Sequence, residues 1–161
     1  MIREVLQSLI PGVSRSARRQ RWPGPPGLFT PRMPLGAAGL IRDADGRVLL
    51  ILQSYQQPPI WLPPGGWVDR GESPREAARR EVWEELGIRV EVGRALATRT
   101  GGYGELAILF DCRRIDDAPL RLSHEIEEAR YFALEDLPPQ LSGDLTYASL
   151  LEAVAALDGS E

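Results

Sequence analysis

One segment of the chain carries sequence signals for both ends of a helix, and it constrains the fold more than any other segment. Ser73 is a good N-cap, Pro74 suits the first helical position, and Glu76 completes an S-x-x-E capping box. Gly87 stands where a left-handed glycine commonly ends a helix. The spacing therefore predicts a helix over Ser73–Leu86.

The residues of this helix form two sides with different chemistry. Three apolar residues recur at helical spacing on the side expected to be buried: Ala78, Val82 and Leu86. Glu81, Glu84 and Glu85 are related as i, i+3 and i+4, so their like charges crowd on another side. The neighbouring turns offer Glu81 no counter-charge, and an all-oxygen set of this kind suits Mg²⁺ or Mn²⁺. Taken alone, such glutamates are more often a solvated surface.

The segment from Gly66 to Ile88 contains a longer pattern that includes these glutamates. It reads Gly66-x5-Glu72-x7-Arg80-Glu81-Val82-x-Glu84-Glu85-x-Gly87-Ile88. This pattern resembles, without departure, the signature of the Nudix hydrolase family. The resemblance implies an α/β/α sandwich with a mixed β-sheet. It also implies attack of water on the phosphoanhydride of a nucleoside diphosphate linked to a further group X.

The resemblance assigns roles to the residues of the pattern. It implies that three glutamates and one main-chain carbonyl hold a divalent metal, Mg²⁺ with Mn²⁺ as a substitute: Glu81, Glu84, Glu85 and Gly65. Glu72 and Arg80 would pair and orient those ligands, since a guanidinium holds a carboxylate through two hydrogen bonds. The metal would lower the pKa of a bound water, and a nearby carboxylate would take the proton.

The catalytic base stays open among several glutamates. Glu81 and Glu85 are the candidates within the helix. Members of the family often add a loop glutamate from the second half of the fold, and the segment His124–Phe132 lies where such a residue is found. Its spacing to the aromatic pair that ends this segment favours Glu125, and Glu127 is the next choice.

Three residues outside the pattern are candidates for substrate binding. Trp61 either stacks on a base or ribose or closes the core of its loop. Tyr103, in the glycine-rich turn Thr100–Gly104, is a second stacking candidate or an ordinary turn residue. Arg99 either neutralises a substrate phosphate or lies on the surface. Trp83 lies on the helix away from the acidic side and is expected to pack.

Strand-like runs alternate with helical ones and predict an α/β domain with a mixed sheet between helices. Gly36–Arg42 and Arg47–Gln53, joined by a turn that ends in Asp-Gly, predict a β-hairpin. The proline-rich run Tyr55–Gly66 is expected to be a loop. Three later strands and a final helix are predicted near these ranges: Ile88–Arg99, Glu105–Arg113, Ala129–Leu134 and Thr146–Leu157.

The first part of the chain differs from the rest in composition. Residues 1–35 hold six arginines against one acid, whereas the whole chain has a net charge of −4. We expect residues 1–34 to form a basic arm, a short helix at Ile2–Ile10 followed by an extended lead-in, and residues 35–161 to form the hydrolase domain. The alternative for the arm is contact with a membrane surface or a partner, and Ile2–Ile10 could also serve a homodimer.

Composition excludes several classes of protein. The single cysteine, Cys112, allows no internal disulfide and reads as a core residue, and no apolar run is long enough to span a bilayer. The net negative charge of residues 36–161 predicts no stable complex with nucleic acid. The single cysteine and the lack of a membrane-spanning run favour a cytoplasmic protein. The resemblance to the Nudix family, and not composition, implies small nucleotides as substrates: nucleoside triphosphates, dinucleoside polyphosphates, or nucleotide sugars and alcohols. The alternative function is a non-catalytic module of the same family that senses a nucleotide.

Overall fold

A computed structural model provides the architecture, and it describes residues 33–55, 58–100, 104–139, 141 and 147–158. The basic arm predicted for residues 1–34 lies outside the described residues, apart from its last two. The helix expected at Ile2–Ile10 and its suggested contacts therefore stay predictions. Among the described residues, no helix is both long and apolar enough to cross a membrane.

The described chain contains seven strands, two α-helices and a 3-10 turn. In chain order the elements are β1 (Leu35–Ile41), β2 (Val48–Gln53), β3 (Trp61–Leu62), β4 (Gly65–Trp67), α1 (Pro74–Leu86), β5 (Val90–Thr100), β6 (Leu106–Arg114), β7 (Ile126–Phe132), the 3-10 turn Leu134–Asp136 and α2 (Tyr147–Asp158). The run expected as a loop, Tyr55–Gly66, contains β3 and the start of β4. These strands are short because Pro63 and Pro64, which lack an N–H donor, separate them.

Two β-sheets lie between the helices. The larger sheet has the strand order β4-β1-β6-β5, in which β1 runs parallel to β6 and the other neighbours are antiparallel. The smaller sheet has the order β3-β2-β7 and is antiparallel. The predicted mixed sheet is confirmed, and the second sheet is an addition that the sequence patterns did not indicate.

The predicted hairpin between β1 and β2 is wrong, although its turn forms. Gly46 donates a main-chain hydrogen bond of 3.1 Å to the Asp43 carbonyl, and its φ is +79°. Beyond the turn, the described residues of these two runs pair only through the isolated bridge of Arg42, which follows β1, with Val48. Because β4 and β6 occupy both edges of β1, β2 pairs in the other sheet instead.

Buried side chains attach one helix to each face of the larger sheet. Under α1, the three apolar residues of its predicted buried side are fully enclosed with Ile41 and Phe110. On the other face, a second cluster joins β1, β2 and β7 to α2: Leu40, Leu50, Phe132, Leu150 and Val154. Burial of one such aliphatic side chain contributes roughly 1.5–3 kcal/mol, so packing holds both helices in place. The α/β/α layering implied by the resemblance is confirmed.

Two further expectations have opposite outcomes. Cys112 is buried on β6, where burial raises the pKa of its thiol to about 12, which confirms it as a core residue. Trp83, expected to pack, is instead 51% exposed, with the Arg89 guanidinium 5.7 Å from its ring centre. It follows Val82 in α1 and so points about 100° away from the buried side of the helix.

Candidate active site

The ends of α1 form where the sequence predicts them. Ser73 Oγ accepts a hydrogen bond of 3.3 Å from the Glu76 main-chain N–H, and Glu76 Oε2 accepts one of 2.8 Å from the Ser73 main-chain N–H. Gly87 has a φ of +64°, and its N–H donates to the Trp83 carbonyl at 2.9 Å. These caps fix the first and last turns of the helix and so fix which way its acidic side faces.

The three glutamates of α1 share a side but lie in different environments. Glu85 is 5% exposed, whereas the Glu84 side chain is 56% exposed. Glu81 is intermediate, with a side chain that is 17% exposed. The acidic side of the helix therefore runs from a buried carboxylate to a solvated one.

Glu85 is the buried carboxylate of the site. Its Oε2 accepts a hydrogen bond of 2.9 Å from the main-chain N–H of Gly65, and its side chain is also hydrogen-bonded to Gln53. Burial raises the pKa of Glu85 to about 8, and the charges of Glu81 and Glu125 add to the rise while the two hydrogen bonds oppose it. A cation close to this carboxyl group would favour its charged form.

Arg80 links the acidic side of α1 to the segment before the helix. Its Nε and Nη2 donate to the two carboxylate oxygens of Glu72, both at 3.0 Å. Its Nη1 donates to Glu81 at 2.8 Å and to Glu84 at 3.1 Å, and Nη2 also donates to the Trp67 carbonyl at 2.9 Å. The expectation that Glu81 has no counter-charge on the helix is therefore wrong, because its sequence neighbour reaches it.

These contacts shift the pKa values of the partners in opposite directions. The hydrogen bonds from Arg80 hold the pKa of Glu72 below its ordinary value, and the same pairing raises the pKa of Arg80. The pKa of Glu81 is nevertheless raised, because its burial outweighs the attraction of Arg80. Arg80 therefore stabilises the negative charge of Glu72 well and that of Glu81 only in part.

The placement of these acids bears on whether the site fits a divalent metal. Within the described ranges, no three acidic, histidine or cysteine side chains converge closely enough to hold a metal as they stand. Arg80 Nη1 instead bridges Glu81 and Glu84. The donors still fit a hard cation, because they are all oxygens and Glu85 is a buried, weakly compensated carboxyl group. A Cβ on Gly66 would lie 2.4 Å from Glu81 Oε1, so any larger residue at this position would displace the carboxylate.

A cavity of about 520 Å³ opens beside these carboxylates and extends along the larger sheet. Its described lining includes five carboxylates and two guanidinium groups: Asp69, Glu81, Glu85, Glu105 and Glu125, with Arg80 and Arg99. Much of the remaining lining is small or apolar: Gly36, Ala38, Leu62, Ala97, Ala107 and Leu109. A cavity of this size suits a nucleotide-sized ligand, and its excess of negative charge opposes a polyanion unless cations offset it.

The loop before β7 brings Glu125, and not Glu127, to the cavity. The main-chain N–H of Ser123 donates to the Glu85 carbonyl at 3.0 Å, and that of Ser54 donates to the Glu125 carbonyl at 2.8 Å. These bonds tie the loop to the end of α1 on one side and to the end of β2 on the other. Glu127 lies within β7, is exposed, and does not line the cavity.

The structure separates the three predicted substrate-binding residues. Trp61 does not line the cavity: it is 7% exposed and packs edge-on against Phe132, with ring centres 4.8 Å apart. Trp61 therefore closes the core of its loop, which was the alternative interpretation of this residue. Arg99 lines the cavity and forms an ion pair of 3.5 Å with Glu152 of α2. Tyr103 lies outside the described residues.

Among the cavity-lining residues that the sequence-based predictions did not name as site residues are Gln53, Tyr55 and Trp67. Gln53 carries a usable signal, because two-residue alternation places it on the same inward face of β2 as Leu49 and Ile51. Tyr55 is 62% exposed and Trp67 57% exposed, and both lie in segments too short or irregular for a periodic pattern.

Known proteins resemble this chain in sequence and in fold. The family model described as NUDIX domain matches residues 32–154. A MutT-like protein from Streptomyces ambofaciens is 31% identical over 78% of each chain. The solved ADP-ribose pyrophosphatase from Streptococcus suis has a TM-score of 0.69 at 25% identity, over 81% of this chain and 96% of that one. The solved Ap4A hydrolase from C. elegans has a TM-score of 0.67 at 27% identity, over 77% and 98%.

Proposed function

The chain belongs to the NUDIX domain family of pyrophosphohydrolases, and from that premise we propose that it is a divalent-metal-dependent hydrolase of nucleoside diphosphate-X compounds. Water attacks a phosphoanhydride and separates a nucleoside monophosphate from the phosphorylated remainder. The observation that carries the proposal is the acidic end of the cavity, where the buried Glu85 and the half-buried Glu81 lie beside Gly65 and Gly66.

The charge of the cavity explains the need for a divalent cation. Carboxylates outnumber guanidinium groups in its described lining, and a diphosphate is itself polyanionic. Such a substrate enters only if cations reverse the local field. Members of this family typically depend on divalent metals, and oxygen donors select Mg²⁺, or Mn²⁺ in its place, over soft metals.

The acidic side of α1 would hold the metal. Its ligands would be the carboxylates Glu81, Glu84 and Glu85 and the main-chain carbonyl of Gly65. Bound there, Mg²⁺ supplies charge neutralisation at the phosphoryl oxygens and lowers the pKa of a coordinated water. Arg80 competes for Glu81 and Glu84 through Nη1, but its Nε and Nη2 stay anchored on Glu72. The two carboxylates can therefore exchange Nη1 for a cation while Arg80 keeps its place beside them.

A carboxylate must also take a proton from the attacking water. Glu81, Glu85 and Glu125 all line the cavity. Glu125 differs from the other two because it is outside the proposed ligand set, so its oxygens need not serve a metal while they accept a proton. The Glu125 carbonyl accepts a hydrogen bond from the Ser54 main-chain N–H, and the charge of Glu125 raises the pKa of Glu85.

The substrate is a small nucleotide of the general form nucleoside diphosphate linked to a group X. The two solved relatives are, by name, an ADP-ribose pyrophosphatase and an Ap4A hydrolase. The compounds in these two names, ADP-ribose and Ap4A, both contain adenosine and phosphoanhydride bonds. Arg99 lies on β5, across the larger sheet from the acidic end, where it would neutralise a phosphate remote from the metal. Nucleoside triphosphates, dinucleoside polyphosphates and nucleotide sugars all meet these requirements.

The test is a panel of these compounds incubated with Mg²⁺ or Mn²⁺, with phosphate release measured with and without added phosphatase. Glu84→Gln should lower kcat at least about a hundredfold while circular dichroism stays unchanged, because it removes a metal ligand and no core contact. Glu91→Gln, an exposed carboxylate outside the cavity, is the matched control and should retain activity. A wild-type protein that binds these nucleotides but releases no product would instead be a nucleotide sensor, and the proposal would fail.

A further inference from the structure

We propose that Trp67 is the residue on which the substrate's aromatic base stacks, so that the substrates are nucleotides with a planar base rather than base-free diphosphates. This inference rests on the function proposed above, since it concerns the same cavity. Trp67 lines that cavity and is 57% exposed, although it belongs to a strand of the larger sheet. An indole left open beside a ligand cavity offers a flat apolar surface for a ring.

The side on which Trp67 stands follows from its strand. A Cβ on Gly66 would point at the Glu81 carboxylate, on the α1 side of β4. Side chains alternate along a strand, so the indole of Trp67 stands on the opposite face. The indole therefore lies one residue from the acidic end, but not in the space between α1 and the sheet. A base resting there would leave the phosphates free to reach the carboxylates.

The sheet beside the indole is built from residues with little or no side chain. Gly36 pairs with Trp67 on one side and with Ala107 on the other. Ala38, two residues along β1, continues the same face. Gly36 has no side chain, and Ala38 and Ala107 each carry only a methyl group, so few atoms project from this strip. A planar ring can therefore lie over this strip beside the indole.

Charge also favours a neutral ring at this end of the cavity. The nearby carboxylates Asp69, Glu81 and Glu85 line the same cavity, and they would repel a second phosphate placed against the indole. Arg80 already donates hydrogen bonds to Glu72 and to the Trp67 carbonyl, so its guanidinium has little capacity left to bind a phosphate there. An uncharged aromatic base avoids this repulsion and gains the stacking contact.

The test compares two ligands that differ only in the nucleoside. The probes are adenosine 5′-(α,β-methylene)diphosphate and methylenediphosphonate, measured by calorimetry with Mg²⁺ on the full chain. Trp67→Ala and Trp67→Leu should weaken binding of the nucleotide about fivefold to a hundredfold and leave that of methylenediphosphonate unchanged, whereas Trp67→Phe should retain most of the affinity. Trp83→Ala, which removes a comparably exposed indole outside the cavity, is the matched control.

The outcomes separate this inference from the proposed function. Equal losses for both probes, or no loss with either Trp67→Ala or Trp67→Leu, would overturn the stacking role. Retention by Trp67→Leu would do so even if Trp67→Ala did not fold. The binding measurement involves no turnover, so a wild-type protein that hydrolyses the nucleotide panel while its Trp67 variants bind normally refutes the stacking role alone. A protein that shows the expected binding pattern without hydrolysis refutes only the catalytic proposal.

Discussion

Replacing Glu85 with glutamine removes a buried carboxyl group that can ionise and keeps the shape of the side chain, which changes how stability depends on pH. The carboxyl group has a pKa of about 8 in the folded protein, against an ordinary value of 4.5, because burial disfavours its charged form. Folding therefore strengthens proton binding, so the stabilising contribution is complete below pH 4.5 and is lost as the pH rises to about 8. At about 1.4 kcal/mol per pH unit, the metal-free protein loses at most about 5 kcal/mol of its free energy of unfolding.

Urea unfolding in EDTA between about pH 5 and pH 9 measures this loss. The wild type should lose stability across the range, while Glu85→Gln should lose clearly less, with the remaining loss coming from Glu81, whose pKa burial also raises. The variant should become the more stable protein at high pH. Added Mg²⁺ should restore the wild type and leave Glu85→Gln unchanged, since the cation supplies the missing counter-charge. Glu84→Gln, at the exposed position beside it, should keep the wild-type pH profile in EDTA. Parallel profiles for wild type and Glu85→Gln would refute the reasoning.

Three further substitutions test the geometry of the site. Gly66→Ala places a Cβ 2.4 Å from Glu81 Oε1 and should lower Mn²⁺ affinity at least about tenfold with little change in thermal unfolding; unchanged affinity would contradict this. Arg80→Lys keeps the charge but loses the forked contact with Glu72, so calorimetry should show metal affinity reduced about tenfold to a hundredfold, and wild-type affinity would make the fork dispensable. Ser73→Ala should cost about 1 kcal/mol in urea unfolding, while Ser73→Asp, which keeps a capping oxygen, should not.

Local signals were enough to predict α1 and the arrangement of its two sides. The N-cap, the capping box and the C-terminal glycine act on neighbouring backbone groups, so their effect depends little on the rest of the fold. The period of the helix likewise puts Val82 on the buried side and Glu81 and Glu85 on the acidic side. The same patterns could not indicate that Glu85 is nearly enclosed and Glu84 solvated, because the difference comes from β4 and β2 packing beside the helix.

The mistaken hairpin has a physical cause of the same kind. A turn such as Asp43–Gly46 determines the path of a few residues, but each strand beyond it pairs with whichever neighbour offers an open edge. Both edges of β1 are taken by strands distant in sequence. Strand pairing also determines which tryptophan, Trp61 or Trp67, is exposed to the cavity. Pairing with β2 buries Trp61, whereas Trp67 on the edge strand β4 stays open to the cavity.

The sequence by itself therefore determined the helix, its charged side and the family signature, because each is written in contiguous residues. Spacing favoured Glu125 over Glu127, but only the tertiary structure decided that Glu125 lines the cavity and that Gln53 contacts Glu85. Those placements come from hydrogen bonds between Ser54 and the loop before β7, and from strands that meet only after the chain folds back. Contacts between distant segments depend on the packing of all the elements together, and no single stretch of the sequence encodes them.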